Sequence, residues 1–341
     1  MTEGRRSPDV RPMTHNLEMI LDAHTHLTGQ EEPEQILECM NACAVEKAFV
    51  FAPELDVETR RLTNDNLDDI RNHNDYCADI CSAAPERLLG FCNLIPTPNL
   101  AEDGDLDRAV DLMIEEAHRC YHELGLRGAG ELVPTRWYPN DPPLLRLWET
   151  LAELGMYTVF HTGIFYDGRE SSYCRPTFYE VIHEVPGFKG HLAHVGWPWH
   201  DECIAVLKIG SQFMQMDPDE WGFKVDLSFG PPTDWQLEVW QRSIDTLPTE
   251  MLLYASDVFW PCEPDQYREK YLQPQLGLFE TTTTQGHIVD QGSPTRAKYR
   301  NMIFFENANS HWQVAIREPQ RPRSAPEPIE MPNALQGHSH G

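Results

Sequence analysis

Short apolar or β-branched runs alternate along this chain with longer stretches of helical period, and that alternation predicts repeated β-α units rather than a sandwich of antiparallel strands. The runs expected as strands are Met19 to His24, Val45 to Pro53, Leu88 to Pro96, Leu124 to Val133, Met156 to His161, Phe188 to His194, Lys224 to Phe229 and Met251 to Asp257. Between them, Pro33 to Ala44, Asn64 to Ala84, Asp105 to Glu123, Pro142 to Leu154, Pro176 to Val185, Asp201 to Gln212 and Trp235 to Leu247 carry the helical pattern. Asp141 stands as an N-cap before a first-turn proline, and Leu144, Leu145, Trp148, Leu151 and Ala152 then share one face. Beyond the eighth strand, Tyr267 to Thr284 has no clear pattern. Ser293 to Phe304 reads as helix before Glu306-Asn307-Ala308 opens a further turn. No Gly/Ser linker divides residues 18–316, so this span is expected to be one α/β domain, a (β/α)8 TIM barrel of about 250 residues with some insertion.

The flanks differ in composition. Residues 1–17 are charged and lack an apolar stretch, so they are expected to be a flexible extension and not a secretory signal. Residues 317–341 contain Pro319, Pro322, Pro326, Pro328 and Pro332 and are expected to be a disordered tail. No run approaches the ~20 apolar residues of a membrane span. With 27 Lys plus Arg against 54 Asp plus Glu, the net charge of -27 repels nucleic acid and anionic membrane surfaces, which leaves a small molecule as the expected partner. The nine cysteines sit scattered inside periodic segments, which suits reduced thiols and a cytoplasmic location. Cys39 with Cys43 and Cys77 with Cys81 have a spacing that a structural zinc could use, but four-residue spacing inside a helix more simply means packing.

Candidate chemistry gathers where strands end. Residues two apart in a strand point the same way, so Asp22-Ala23-His24-Thr25-His26 brings two imidazoles together at the end of the first strand. His161 ends the fifth expected strand, His194 the sixth and Asp257 the eighth, and in barrels of this type the active-site groups come from those ends. Each residue alone has a structural explanation: His161 and His194 as hydrogen-bonded core residues, Asp257 as a helix cap. Together they form a nitrogen- and oxygen-rich set suited to Zn²⁺ first and Mn²⁺ second, and unsuited to Ca²⁺.

These residues carry a family resemblance. The His-x-His at 24 and 26, His-Thr-Gly at 161, His-x-Gly at 194, Ser-Asp at 257 with Pro261, and Glu-Asn-Ala at 306 to 308 resemble the amidohydrolase superfamily in consistent order from residue 19 to 313. The chain is most similar to the amidohydrolase-related branch, which includes hydrolases, lactonases and non-oxidative decarboxylases such as aminocarboxymuconate-semialdehyde decarboxylase. The resemblance implies that His24, His26, His161 and Asp257 hold one divalent metal, with His194 near its water as proton carrier and Asp257 an alternative base. Binuclear members often end strand four with a carboxylated lysine. Here the segment reads Leu126-Arg127-Gly128-Ala129-Gly130-Glu131 and offers no Lys, while Lys189 and Lys224 start their strands on the far face. Glu131 could replace it, but a solvated or hydrogen-bonding rim residue is the simpler expectation, so one metal is expected.

For substrate contacts, Arg127, Arg169 and Arg175 are expected in loops after strands four and five, where a guanidinium can grip a carboxylate, with surface ion pairing as the alternative. Trp197 and Trp199 after strand six, Phe165 and Tyr166 after strand five, and Phe259 and Trp260 after strand eight suggest a pocket for a flat or apolar substrate. The same aromatic loops are compatible with a homodimer. Hydrolysis of an amide, ester, lactone or activated C–C bond is ranked slightly above decarboxylation of an aromatic or unsaturated acid. A catalytically inactive binding barrel is the remote third reading, because a buried ligand set without a metal is costly to keep desolvated.

Overall fold

The computed structural model describes residues 19–54, 66–101, 104–165, 171–213, 222–228, 230–285 and 294–316, so both expected tails lie outside the described residues. The strands are β1 (Ile20–His26), β2 (Val45–Phe51), β3 (Leu88–Cys92), β4 (Gly128–Leu132), β5 (Tyr157–Phe160), β6 (Lys189–Leu192), β7 (Phe223–Asp226), β8 (Leu252–Leu253) and β9 (Val258–Phe259). All pair in parallel, in the order β8-β7-β6-β5-β4-β3-β2-β1-β9. β8 and β9 are two halves of one interrupted strand. β8 pairs with β7, β9 pairs with β1, and Ala23 N donates to Tyr254 O at 3.2 Å between them, which closes the sheet into a TIM barrel.

The helices are α1 (Pro33–Cys43), α2 (Leu67–Ser82), α3 (Leu106–His122), α4 (Pro142–Leu154), α5 (His200–Phe213), α6 (Thr233–Thr246), α7 (Pro264–Tyr267), α8 (Gln273–Gln285), α9 (Pro294–Asn301) and α10 (Asn307–Ala315). The unpatterned stretch near 267–284 is helical: α7 and α8 join through a π-helical turn at Arg268–Leu272. Pro176–His183 is 3₁₀ rather than α and buries Pro176, Tyr179, Val181 and Ile182. All nine cysteines are buried free thiols, which agrees with packing for the pairs on α1 and α2. No described helix is long and apolar enough to cross a membrane.

Two apolar layers hold the barrel. The outer one packs strands against helices through residues such as Ile36, Met113, Trp148 and Val239. The inner one fills the barrel with Leu21, Phe49, Phe51, Phe91, Tyr157 and Leu253, and α10 stops the N-terminal mouth by laying Trp312 on Phe49 at 6.0 Å. Side chains at the C-terminal ends therefore stand on a packed floor and open upward.

Candidate active site

A bulge in β1 sets the first two residues of the site. Asp22 pairs with Ala48 and Thr25 with Val50, so three steps of β1 face two of β2. The extra residue shifts the pleat. Leu21 and Ala23 belong to the inner layer, and beyond the bulge His24 and His26 also face inward, both against Phe51. Glu54 follows β2, Glu131 lies on β4, His161 follows β5, His194 follows β6, Asp226 ends β7 and Asp257 lies between β8 and β9. Seven of these eight residues are almost fully buried, and only the side chain of Asp257 keeps 22% exposure.

The side chains converge. His24 Nε2 and His26 Nε2 lie 2.8 Å apart, with Asp257 Oδ1 at 3.5 and 3.1 Å from them. Glu131 stands among the imidazoles: its Oε1 is 2.9 Å from His161 Nδ1 and 3.3 Å from His194 Nε2, and its Oε2 is 3.4 Å from His24 Nε2 and 3.7 Å from His26 Nε2. The outer nitrogens are also held, His24 Nδ1 by Asp226 Oδ2 at 2.9 Å and His26 Nδ1 near Glu54 Oε1 at 3.3 Å. The structure thus joins His24, His26, His161, His194 and Asp257, and moves Glu131 from the expected rim, solvated or hydrogen-bonding, to the buried centre of the cluster.

Electrostatics follow from that crowding. Burial opposes the charge on Glu131, but the imidazoles of His24 and His161 hold its carboxyl far below the usual range. Burial likewise opposes protonation of His24 and His194, yet Glu131 raises both, with Asp226 helping at His24. Burial lowers His26, and it pushes Glu54 well up with the charge of Glu131 adding to it. The backbone is strained at the same place. His194 has φ 60°, Val195 50° and Asp257 60°, left-handed values that cost non-glycine residues about 1–3 kcal/mol each and cluster at functional sites. Gly163 (φ +105°) passes so close to Trp197 that a Cβ there would collide with its carbonyl oxygen.

A cleft of ≈ 200 Å³ opens above the cluster, walled by Ile164, Phe165, Trp197 and Phe259. Phe259 stacks on His26 at 4.5 Å and 10°, and Phe165 meets His161 edge-on at 5.2 Å. Trp197 is where the sequence suggested. Trp260 is not: it is buried beneath the loop and stacked on Tyr267, and Phe259 takes the wall. Arg127 precedes β4 instead of following it, with its guanidinium over Tyr121 and bonded to the Tyr121 carbonyl, so it is at the wrong end of the barrel. Arg175 pairs with Glu202 on the exposed surface, and Arg169 and Tyr166 lie outside the described residues. Sequence reasoning missed Glu54, Asp226 and Ser228. Glu54 and Asp226 are acids at the ends of strands two and seven, the same signal that had marked Asp257.

The donor set fits a divalent cation. Two imidazole nitrogens face each other at 2.8 Å among carboxylates, and the buried Nε2 of His161 has no hydrogen-bond partner. Imidazole and carboxylate donors at this density suit Zn²⁺ or Mn²⁺. Groups within mutual ligating reach include His24 with His26 and Asp257, and His24 with Glu131 and His194.

The family profile described as Amidohydrolase matches residues 21–309. Sequence comparison with curated proteins gives no match. Among solved structures, the fold resembles 2,6-dihydroxybenzoate decarboxylase from Rhizobium (16% identity, TM-score 0.56, covering 87% of this chain and 98% of that one). It also resembles a dihydroxybenzoic acid decarboxylase from Polaromonas with bound manganese and the inhibitor 2-nitroresorcinol (14%, 0.56, 88% and 98%). A third is a probable 2-pyrone-4,6-dicarboxylic acid hydrolase from Acinetobacter baumannii (12%, 0.53, 86% and 99%).

Proposed function

This chain belongs to the amidohydrolase family, and from that premise we propose that it is a metal-dependent non-oxidative decarboxylase of an aromatic or unsaturated carboxylic acid. The observation that carries this reading is the aromatic wall against the ligand cluster: Phe259 lies flat on His26, with Phe165 and Trp197 around a cleft of ≈ 200 Å³ that suits one substituted ring. The named activities of the Rhizobium and Polaromonas structures support the same choice over hydrolysis, which the residues alone ranked slightly higher.

His24, His26, His161 and Asp257 would hold one divalent ion, Zn²⁺ or Mn²⁺, which when bound supplies a Lewis acid for substrate oxygens. Phe259 and Phe165 orient the ring, and Trp197 helps exclude water. As the C–C bond breaks, its electron pair stays on the ring carbon and carbon dioxide leaves. His194 Nε2 delivers a proton to that carbon, and Glu131 favours the protonated imidazole that this step needs.

One observation favours hydrolysis of an amide, ester, lactone or activated C–C bond as the second reading. Glu131 reaches all four histidines within 3.7 Å and offers both a second acid-base group and a ligand for a second ion. The test is a panel assay on metal-loaded protein. Carbon dioxide release from hydroxybenzoates or muconate-type acids supports the first reading; proton release from lactones and esters, with no carbon dioxide from the acids, replaces it with the second.

A further inference from the structure

Below the cluster, one buried carboxylate receives the hydrogen bonds of most of its polar neighbours. Asp226 is fully buried at the end of β7. Its Oδ2 lies 2.9 Å from His24 Nδ1 and 3.2 Å from His191 Nε2. Its Oδ1 accepts from His194 N at 3.0 Å, Ser228 N at 3.1 Å and Ser228 Oγ at 2.5 Å. Ser228 Oγ is in turn 2.7 Å from His194 Nδ1, and on the other side His191 Nδ1 is 3.2 Å from the hydroxyl of Tyr157.

Donor and acceptor rules give this column a direction. A carboxylate accepts only, and a hydroxyl has one hydrogen to donate. The Ser228 hydroxyl donates to Asp226, so it can only accept from His194 Nδ1–H, which leaves His194 Nε2 as the atom that exchanges protons in the cleft. The Asp226 carboxylate, 3.2 Å from His191 Nε2, favours the proton on that nitrogen, which leaves His191 Nδ1 to accept from the Tyr157 phenol. His24 also donates from Nδ1 to Asp226, which turns its Nε2 toward His26 Nε2 at 2.8 Å. We infer that Asp226, backed by His191 and Tyr157, is a positioning residue that sets the Nε2-facing tautomer of both His24 and His194. It would thereby couple the ligand histidine on one side of the barrel to the proton carrier on the other. Carboxylate partners of ligating histidines act in this way in metal sites generally, and losing one typically weakens binding or activity by about 10–100-fold.

The inference rests on the metal-dependent reading, and its two arms separate. For Asp226→Asn, Zn²⁺ and Mn²⁺ affinities measured by chelator competition should weaken about 10–100-fold, with thermal unfolding reporting whether the fold is kept. Tyr157→Phe keeps the ring in the core and removes only the hydroxyl, so it should fold and shift metal affinity the same way by less. Ser228→Ala should leave metal affinity within twofold of the wild type and lower kcat without raising KM, because only the His194 arm is cut. In the Co²⁺-substituted protein, the hyperfine-shifted exchangeable Nδ1–H signal of His24 should be present in the wild type and lost in Asp226→Asn. Wild-type protein that binds no metal overturns the functional reading and this inference with it. Wild-type protein that binds metal no better than folded Asp226→Asn and Tyr157→Phe overturns the inference alone.

Discussion

Neutralising Glu131 without changing its shape tests the centre of the site. In Glu131→Gln the amide keeps one oxygen for His161 Nδ1, now at 2.9 Å from a carboxylate oxygen, but removes a negative charge that lies within 3.7 Å of three other imidazoles. Two unit charges 3.4 Å apart interact by about 5 kcal/mol at an effective dielectric of about 20, which bounds the loss from above. Loss of a hydrogen-bonding partner around a metal costs about 10–100-fold in affinity, or about 1.4–2.8 kcal/mol at 1.4 kcal/mol per tenfold. Glu131 touches the ligand nitrogens themselves, so the upper end is expected. Metal content by elemental analysis and affinity by chelator competition measure it. The wild type should saturate at one equivalent, and the variant should bind about 100-fold more weakly, with kcat reduced at least as much. Two equivalents in the wild type and one in the variant would instead assign Glu131 to a second ion and favour hydrolysis. Unchanged affinity, stoichiometry and turnover in Glu131→Gln would refute the assignment of this residue to the site.

Removing metal with a chelator should abolish turnover, and readdition of Mn²⁺ or Zn²⁺ should restore it; activity that survives in protein shown to be metal-free contradicts the proposal. Phe259→Ala should raise KM by about tenfold or more through loss of an aromatic contact surface worth about 1.5–3 kcal/mol, with little change in metal content; an unchanged KM removes Phe259 from the substrate wall. Glu116, fully buried between α2 and α3 and bonded to Arg119 at 2.7 Å and Asn74 at 2.8 Å, should cost about 3 kcal/mol on truncation to Ala in urea unfolding, the low end for a broken buried pair because Arg119 and Arg71 still reach water. Burial, with Lys224 and Lys189 nearby, lowers the pKa of His311 far below its usual value, so the folded state keeps it neutral while the unfolded chain takes up a proton below about pH 6.5. Stability contributed by neutral His311 is therefore present above that pH and lost as pH falls, and His311→Leu should flatten the decline in urea midpoint between pH 7.5 and 5.5.

The periodicity of the chain carried the architecture, because a parallel barrel repeats one local pattern and each repeat leaves its own trace of buried strand and amphipathic helix. The residues ending strands one, five, six and eight were legible for the same reason: a polar group closing an apolar run is a local signal. The signal also lay at Glu54 and Asp226, but an isolated acid after a strand reads as a cap or a surface group until its neighbours are known. Glu131 shows the limit most clearly. Its place at the centre depends on four histidines as distant in sequence as His24 and His194, and nothing near position 131 encodes that.

Direction was the other quantity hidden from the sequence. The alternation rule made His24 and His26 share a side, yet that side faces the cleft only because a bulge shifts the pleat between Asp22 and Thr25. Arg127 lies inside the apolar run Leu124 to Val133 but just before β4 begins at Gly128, and at the N-terminal end of a barrel strand a guanidinium meets the helix layer, not the cleft. Trp260 and Phe259 exchanged roles because one residue in an extended segment changes which face a side chain occupies. Local chemistry thus determined the fold class and the residue types able to bind a metal; tertiary packing decided which of them meet, since ligation depends on where lone pairs point, and that is set by register, bulges and buried hydrogen bonds across the barrel.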